Sequence, residues 1–517
     1  MILSHVLERS ARIYPNAIAT ICGEHSYTYS ELKDRVHRLA KAFQQHGIRQ
    51  GERVGMLQLN CHRFVEVVFA CFEIGAVIVP MNTRLAADEL SFIIKDSECG
   101  ALVVDEMLTP LVDSIRPRLE ATQLYISGGR EGYVEYEELI ASSTPTPEIA
   151  EPNENDIAGL FYTSGTTGIP KGVMLSHRNV WMNALHSIIS LEIRPCETNL
   201  HVAPLFHVAG FPIILTAALS GGTHVFLKKF DPRAVLETID RHQVTACLLV
   251  PTMINYVVNY PELSQFNLSS LKRIFYGASP IPSQLLKKAM EAMPECAFIQ
   301  GYGQTESGPL LTVLQWSDHQ SDGSETGNRR LTSCGRPILG VRVEVFNEQN
   351  QPVKPGEVGE IVGRGPNIMM GYWKRPDDSA FALRDGWLHT GDLATVDDEG
   401  YIYIVDRNKD MIVTGGENVY STEVENVIYT HPAVREATVI GVPDSKWGEA
   451  VKAVVSLKSG RTLDEKELIA HCSARLAGYK VPKSVDFMDD LPKSGTGKIL
   501  KKVLRDEYWK GQERKVN

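Results

Sequence analysis

Tyr162-Thr-Ser-Gly-Thr-Thr-Gly-Ile-Pro-Lys-Gly-Val173 is the stretch on which the reading of this chain turns. The apolar run 157–161 ahead of it predicts a strand, and Ser176 behind it predicts the cap of a helix. Glycines let a backbone fold closely around an anion, while hydroxyls, main-chain amides and a lysine offer donors to phosphate oxygens. An ordinary polar loop is the plainer alternative. The density of hydroxyls and glycines, ending on Lys171, argues against it. The spacing Gly-x4-Gly-Lys-Ser/Thr occurs neither here nor at Lys498, so a P-loop NTPase is excluded.

Working outward, amphipathic stretches at 29–45, 63–74, 231–242 and 282–293 predict helices. They alternate with short apolar runs at 53–58, 76–79, 101–104, 224–227 and 246–250, which predict strands. That alternation implies parallel strands joined by crossover helices, an α/β fold with layered sheets. Between 335 and 405 the runs shorten and glycines punctuate them (341–346, 359–362, 401–405), the texture of a smaller antiparallel β-region. Beyond Asp406 the pattern changes to short helices and strands at 421–429, 436–440, 450–457 and 464–477. We therefore expect a large N-terminal domain, 1–406, and a small mobile α+β domain, 407–517. The polar stretches 128–155 and 315–332 read as surface loops.

The bulk composition narrows the field. The 517 residues are 43% hydrophobic and 22% charged, enough to bury a large core. A net charge of −10 provides no global basic field, which argues against non-specific binding to nucleic acid or an anionic membrane. The nine cysteines are scattered singly with no Cys-x-x-Cys pair, so neither a zinc ribbon nor a disulfide framework is expected. No basic-then-apolar leader and no bilayer-length apolar run stand out, so a cytoplasmic chain is expected.

The opening stretch resembles the phosphate loop of the adenylate-forming superfamily, and the resemblance extends across nearly the whole chain in the family's order. Gly277-Ala-Ser-Pro280 is similar to the segment along the adenine, and Gln300-Gly-Tyr-Gly-Gln-Thr-Glu306 to the second nucleotide motif. Trp387-Leu-His-Thr-Gly-Asp392 and Asp406-Arg407 resemble the ribose-binding motifs. Gly415-Gly-Glu-Asn418 resembles the loop that enters the site for the second half-reaction, and Leu491-Pro-Lys-Ser-Gly-Thr-Gly-Lys498 the catalytic-lysine motif.

The resemblance implies site residues. Thr163, Ser164, Gly165, Thr166, Thr167, Gly168 and Lys171 would cradle ATP phosphates, with Gly277, Ala278, Ser279 and Tyr302 at the adenine. Asp392 and Arg407 suit ribose hydroxyls, one as acceptor and one as donor. Thr305 would donate to the α-phosphate, and Glu306 would hold Mg2+, which takes hard oxygen ligands. Lys498 would bridge the attacking carboxylate and the α-phosphate, and Lys409 stands at the expected hinge. On this pattern a carboxylic acid is activated as acyl-adenylate and passed to a thiol.

Pro204-Leu-Phe-His-Val-Ala-Gly210 is the family segment that lines the acyl site. Amino-acid-activating members carry an Asp there to pair the substrate ammonium; His207 and apolar neighbours make such substrates unfavourable here. With Val208, Val250, Pro251 and Met253 they point to a fatty or aryl acid. Trp447 and Tyr479 match aromatics that sandwich the CoA adenine, near Gly415 and Gly416. Val481 stands where some relatives aim an arginine at the CoA 3′-phosphate, so either Lys480 or Lys483 makes that contact or CoA affinity is lower. The implied activity is an ATP-dependent acid:CoA ligase using ATP, Mg2+ and CoA. An acyl-AMP ligase that loads a carrier protein, or a silent nucleotide sensor, are the alternatives, and a homodimer is left open.

Overall fold

The computed structural model describes all residues except 120–123, 150, 164–169, 280, 321–322, 408–409, 445, 494–498 and 511–517. Among the described residues the strands form four sheets. The first has at its centre the parallel strands Val77–Pro80, Arg53–Leu57 and Cys99–Val104. These are near-continuous apolar runs because both faces of the sheet are covered. Towards one edge, Ile157–Thr163 joins Val77–Pro80 in parallel and then pairs antiparallel with Lys171–Ser176. The described ends of the stretch Tyr162–Val173 therefore lie on two paired strands, the second leading into a helix. Ser176 caps that helix, His177–Ser190, its Oγ accepting from the Asn179 amide at 3.1 Å.

The second large sheet runs through Thr198–His201, Ala246–Leu248, Arg273–Gly277 and Ala297–Tyr302, all in parallel. Helices Tyr29–Gln45, His62–Glu73 and Phe211–Ser220 share one apolar core with residues of both sheets, including Ile78, Val173 and Phe226. Tyr29–Gln45 starts at a capping box, Thr28 with Glu31. A four-stranded antiparallel sheet, Arg342–Phe346, Gly359–Arg364, Leu388–Val396 and Ile402–Arg407, packs Val343, Ile361 and Ala394 against Ile299 of the second sheet and the neighbouring Leu311. This is the expected α/β architecture with an antiparallel β-region.

Beyond Asp410 the strands Ile412–Thr414, Glu417–Val419, Val434–Asp444, Gly448–Leu457 and Ser484–Phe487 make a separate sheet. Helices Ser421–Tyr429 and Glu465–Ser473 supply Val424, Ile428 and Leu468 to a core drawn from this region alone. Two expectations need correction. The stretch 128–155 contains strand Val134–Glu135 and helix Tyr136–Ser142, and 315–332 contains helices Trp316–His319 and Glu325–Arg330. Their polarity belongs to exposed faces. Tyr136, Leu139 and Ile140, at helical spacing, are buried. Among the described residues no helix is long and apolar enough to cross a membrane.

Candidate active site

Tyr302 ends strand Ala297–Tyr302 and meets the antiparallel sheet at Asp392; ligand sites in open α/β sheets lie at such strand ends. Arg273–Gly277 and Ala297–Tyr302 lie side by side with Gly277 opposite Gly301. A Cβ at Gly277 would run into the Gly301 carbonyl oxygen, so the two backbones can approach only because that atom is missing. The next residue, Ala278, is exposed and left-handed at φ 66°. Such a backbone costs about 1–3 kcal/mol and persists where its surroundings hold it, characteristically beside a bound ligand.

In the antiparallel sheet the register places Asp392 directly opposite Arg407. The Asp392 carboxylate is buried and serves two donors: Tyr302 Oη at 2.8 Å and Arg407 Nε at 3.0 Å. Burial and the Asp392 charge push the Tyr302 hydroxyl well above its ordinary value, so it stays a donor. Residues predicted for the adenine and the ribose from separate motifs thus form one hydrogen-bonded group.

Thr305 and Glu306 open a single 3-10 turn and are both buried. Burial raises the Glu306 carboxyl above the usual range, opposed by hydrogen bonds and by Arg407. Tyr372 Oη donates to Glu306 Oε1 at 2.8 Å. The segment carrying Tyr372 is strapped over the turn: Met369 N donates to the Glu306 carbonyl at 2.9 Å, and Asn367 Nδ2 to the Ser307 carbonyl at 2.7 Å. No motif drew attention to Tyr372. Its partner lies 66 residues away, and nothing local in the sequence reports such a contact.

Thr163 and Lys171 face each other across the antiparallel pair Ile157–Thr163 and Lys171–Ser176. Ser164, Gly165, Thr166, Thr167 and Gly168 lie outside the described residues. Lys171 Nζ is 2.6 Å from Asp378 Oδ1 and 5.2 Å from the centre of the Tyr372 ring. Asp378, too, escaped the sequence reading.

His207 sits in a turn, with the Ala209 amide donating to its Nδ1 at 3.2 Å. That nitrogen is therefore an acceptor, and a proton on the neutral ring resides on Nε2. Val208 is buried in the main core with Leu205 and Phe211. Val250 precedes helix Pro251–Val258; Met253, on that helix, packs partly buried against the core of the second sheet.

In the C-terminal region Gly415 and Gly416 form the turn of the hairpin Ile412–Thr414/Glu417–Val419, at φ 61° and 88°. The Trp447 ring lies against Gly415, whose amide donates to the Trp447 carbonyl at 2.8 Å. Trp447 and Tyr479 remain 46% and 40% exposed, unusual for large aromatics that only pack a core. Lys480 is neutralised by Glu423 at 2.7 Å, and Lys483 donates to the Gly478 carbonyl. Lys446, which the sequence reading passed over, stands 4.5 Å above the Trp447 ring. Val481 belongs to the C-terminal core. Lys409 and Lys498 lie outside the described residues.

The model of the AMP-binding enzyme family matches residues 7–373, and that of the AMP-binding enzyme C-terminal domain matches 423–498. The chain belongs to the AMP-binding enzyme family. Within that adenylate-forming superfamily it falls in the acyl-CoA synthetase branch. It is 41% identical over 501 residues to a feruloyl-CoA synthase of Amycolatopsis sp, covering 97% of this chain and 98% of the relative. It is 35% identical over 528 residues to the medium/long-chain-fatty-acid–CoA ligase FadD8 of Mycobacterium tuberculosis, covering 99% and 91%. Among solved structures, the o-succinylbenzoate CoA synthetase MenE of Bacillus subtilis, in complex with its acyl-adenylate intermediate, superposes with a TM-score of 0.85. That pair is 32% identical, over 97% of this chain and 98% of the other.

Magnesium is expected with ATP in this AMP-binding enzyme. Among the described residues no group of three or more His, Cys, Asp or Glu could hold a metal ion. Mg2+ commonly binds through one or two carboxylates with substrate phosphates and water completing the shell. A single buried carboxylate, Glu306, on a turn next to Thr305 therefore fits an ion that arrives with ATP.

Proposed function

We propose that this acyl-CoA synthetase runs two half-reactions around one nucleotide site, with an aryl acid of the hydroxycinnamate class as its favoured substrate and fatty acids as the second class to test. It is an ATP-dependent, AMP-forming acid:CoA ligase. A free carboxylate resists thiol attack because its carbon is electron-rich and oxide is a poor leaving group. In the first half-reaction the acid oxygen attacks the α-phosphorus of ATP in line and pyrophosphate leaves. In the second, the CoA sulfur attacks the acyl carbon and AMP leaves with the electrons of the broken C–O bond.

The chain's residues divide this work. Gly277, Ala278, Ser279 and Tyr302 hold the adenine, while Asp392 and Arg407 take the ribose hydroxyls. Thr163, Ser164, Gly165, Thr166, Thr167, Gly168 and Lys171 receive the phosphates. Thr305 donates to the α-phosphate, and Lys498 bridges it to the incoming carboxylate. Such placed charge is usually the largest catalytic contribution. Glu306 would hold the metal ion, which when bound would offset charge building on pyrophosphate. His207 lines the acyl site with Val208, Val250 and Met253, its Nδ1 already committed to the Ala209 amide.

Residues 407–517 act as a domain that turns about Lys409, bringing Lys498 for the first step and the Gly415-Gly416 turn for the second. The separate apolar core of this region supports that division. Exposed Trp447 and Tyr479 support CoA as acceptor, stacking on its adenine, with Lys446 beside Trp447. Nine unpaired cysteines suit a reducing, cytoplasmic location.

The observation that carries the nucleotide reading is the buried Asp392 carboxylate shared by Tyr302 and Arg407, with Arg407 also within electrostatic reach of Glu306. The test is acid-dependent exchange of labelled pyrophosphate into ATP across a panel of hydroxycinnamic, benzoic and fatty acids, followed by mass detection of the CoA thioester. Exchange and thioester with aryl acids are expected. No exchange with any acid overturns the reading.

A further inference from the structure

We propose that Tyr372 is a positioning residue for adenylation, acting through Glu306; the inference rests on the role proposed above for that carboxylate. Glu306 stands on a one-turn helix, where a three-bond side chain has several rotamers open to it. Tyr372 removes that freedom by donating its hydroxyl to Oε1 at 2.8 Å. A carboxylate has about four lone-pair sites, so this bond fixes the group while leaving acceptor capacity for a hard cation.

The tyrosine is itself held from both sides. Strand Gly371–Tyr372 pairs with Lys171–Ser176, placing Tyr372 opposite Val173. Its amide donates to Ser379 Oγ at 2.8 Å, and Met369 and Asn367 bind the turn that carries Glu306. Its ring lies 5.2 Å below Lys171 Nζ. One side chain thus borders both Lys171 and Glu306, the lysine and the carboxylate assigned above to the phosphates and their metal ion. Outer partners of this kind typically change metal affinity or activity by about 10–100-fold when removed.

Tyr372→Phe deletes the hydroxyl and keeps the ring. Mn2+ serves as the probe ion, its binding read by paramagnetic resonance with α,β-methylene-ATP present. The variant is expected to bind Mn2+ about tenfold more weakly and to show a correspondingly raised metal requirement in pyrophosphate exchange. Conversion of supplied acyl-adenylate to CoA thioester should match the parent. In a Glu306→Gln background the same change should add nothing, because the two residues act as one unit. Unchanged Mn2+ binding, equal losses in both half-reactions, or an additive effect in the double variant would each overturn the proposal. A parent enzyme whose Mn2+ binding depends on Tyr372 and Glu306 yet never exchanges pyrophosphate would overturn the ligase reading instead.

Discussion

Asp378 holds Lys171 in the structure, and removing its charge should make ATP bind more tightly. The Lys171 Nζ to Asp378 Oδ1 distance is 2.6 Å, with side-chain exposures of 13% and 38%. An unscreened pair at that separation would attract by several kcal/mol, but exposed pairs measure only about 0.2–1 kcal/mol because water screens them. Asp378 is exposed enough for that discount, and the more buried Lys171 moves the value to its upper end, about 1 kcal/mol. If phosphate oxygens must take Lys171 from Asp378, ATP binding forgoes that amount. Asp378→Asn keeps the shape and drops the charge, so KM for ATP should fall about fivefold with kcat unchanged. The assay is pyrophosphate exchange at saturating acid and varied ATP. Lys171→Ala should raise KM, and the double variant should match Lys171→Ala alone. A KM that rises in Asp378→Asn would refute the competition and make Asp378 a support for the lysine.

Lys498→Ala should abolish acid-dependent pyrophosphate exchange yet still convert supplied acyl-adenylate to thioester; loss of both steps together would contradict the assignment. Lys409→Pro should do the converse, keeping exchange while thioester formation collapses, as a locked hinge would. Trp447→Ala should raise KM for CoA from about fivefold to above a hundredfold, the range that base stacking supplies, without moving KM for ATP; an unchanged value for CoA would place the ring outside the acceptor site. His177 is buried, neither ring nitrogen has a hydrogen-bond partner among the described residues, and burial lowers it from 6.5 to about 4. Because its folded value lies below its unfolded one, protons favour the unfolded chain below pH 6.5, and stability is lost as pH falls towards 4. Between pH 7 and 5 this one group costs about 2 kcal/mol, so urea denaturation of His177→Gln should show a drop smaller by that amount; an identical drop would show that other histidines carry it.

Much of the architecture was legible because local patterns and tertiary demands agree. Helix Tyr29–Gln45 was readable to the residue from its apolar spacing, and the structure adds the Thr28/Glu31 cap at its start. The strand Lys171–Ser176 was not. Glycine and proline just before it signal a loop, and its β-character comes from pairing with Ile157–Thr163. Helix Tyr136–Ser142 was hidden for a related reason: with few apolar positions, its polar exposed face dominates the composition.

The candidate site divides along the same line. The order and residue types of the nucleotide motifs, and with them the family, are written in contiguous stretches, since a turn that cradles phosphate must be built from neighbours along the chain. The pairings that join those stretches are not. Asp392 meets Arg407 through strand register, Tyr302 reaches Asp392 across 90 residues, and Asp378 meets Lys171 across 207. A hydrogen bond depends on separation in space, and a linear chain records that separation only after its sheets have closed.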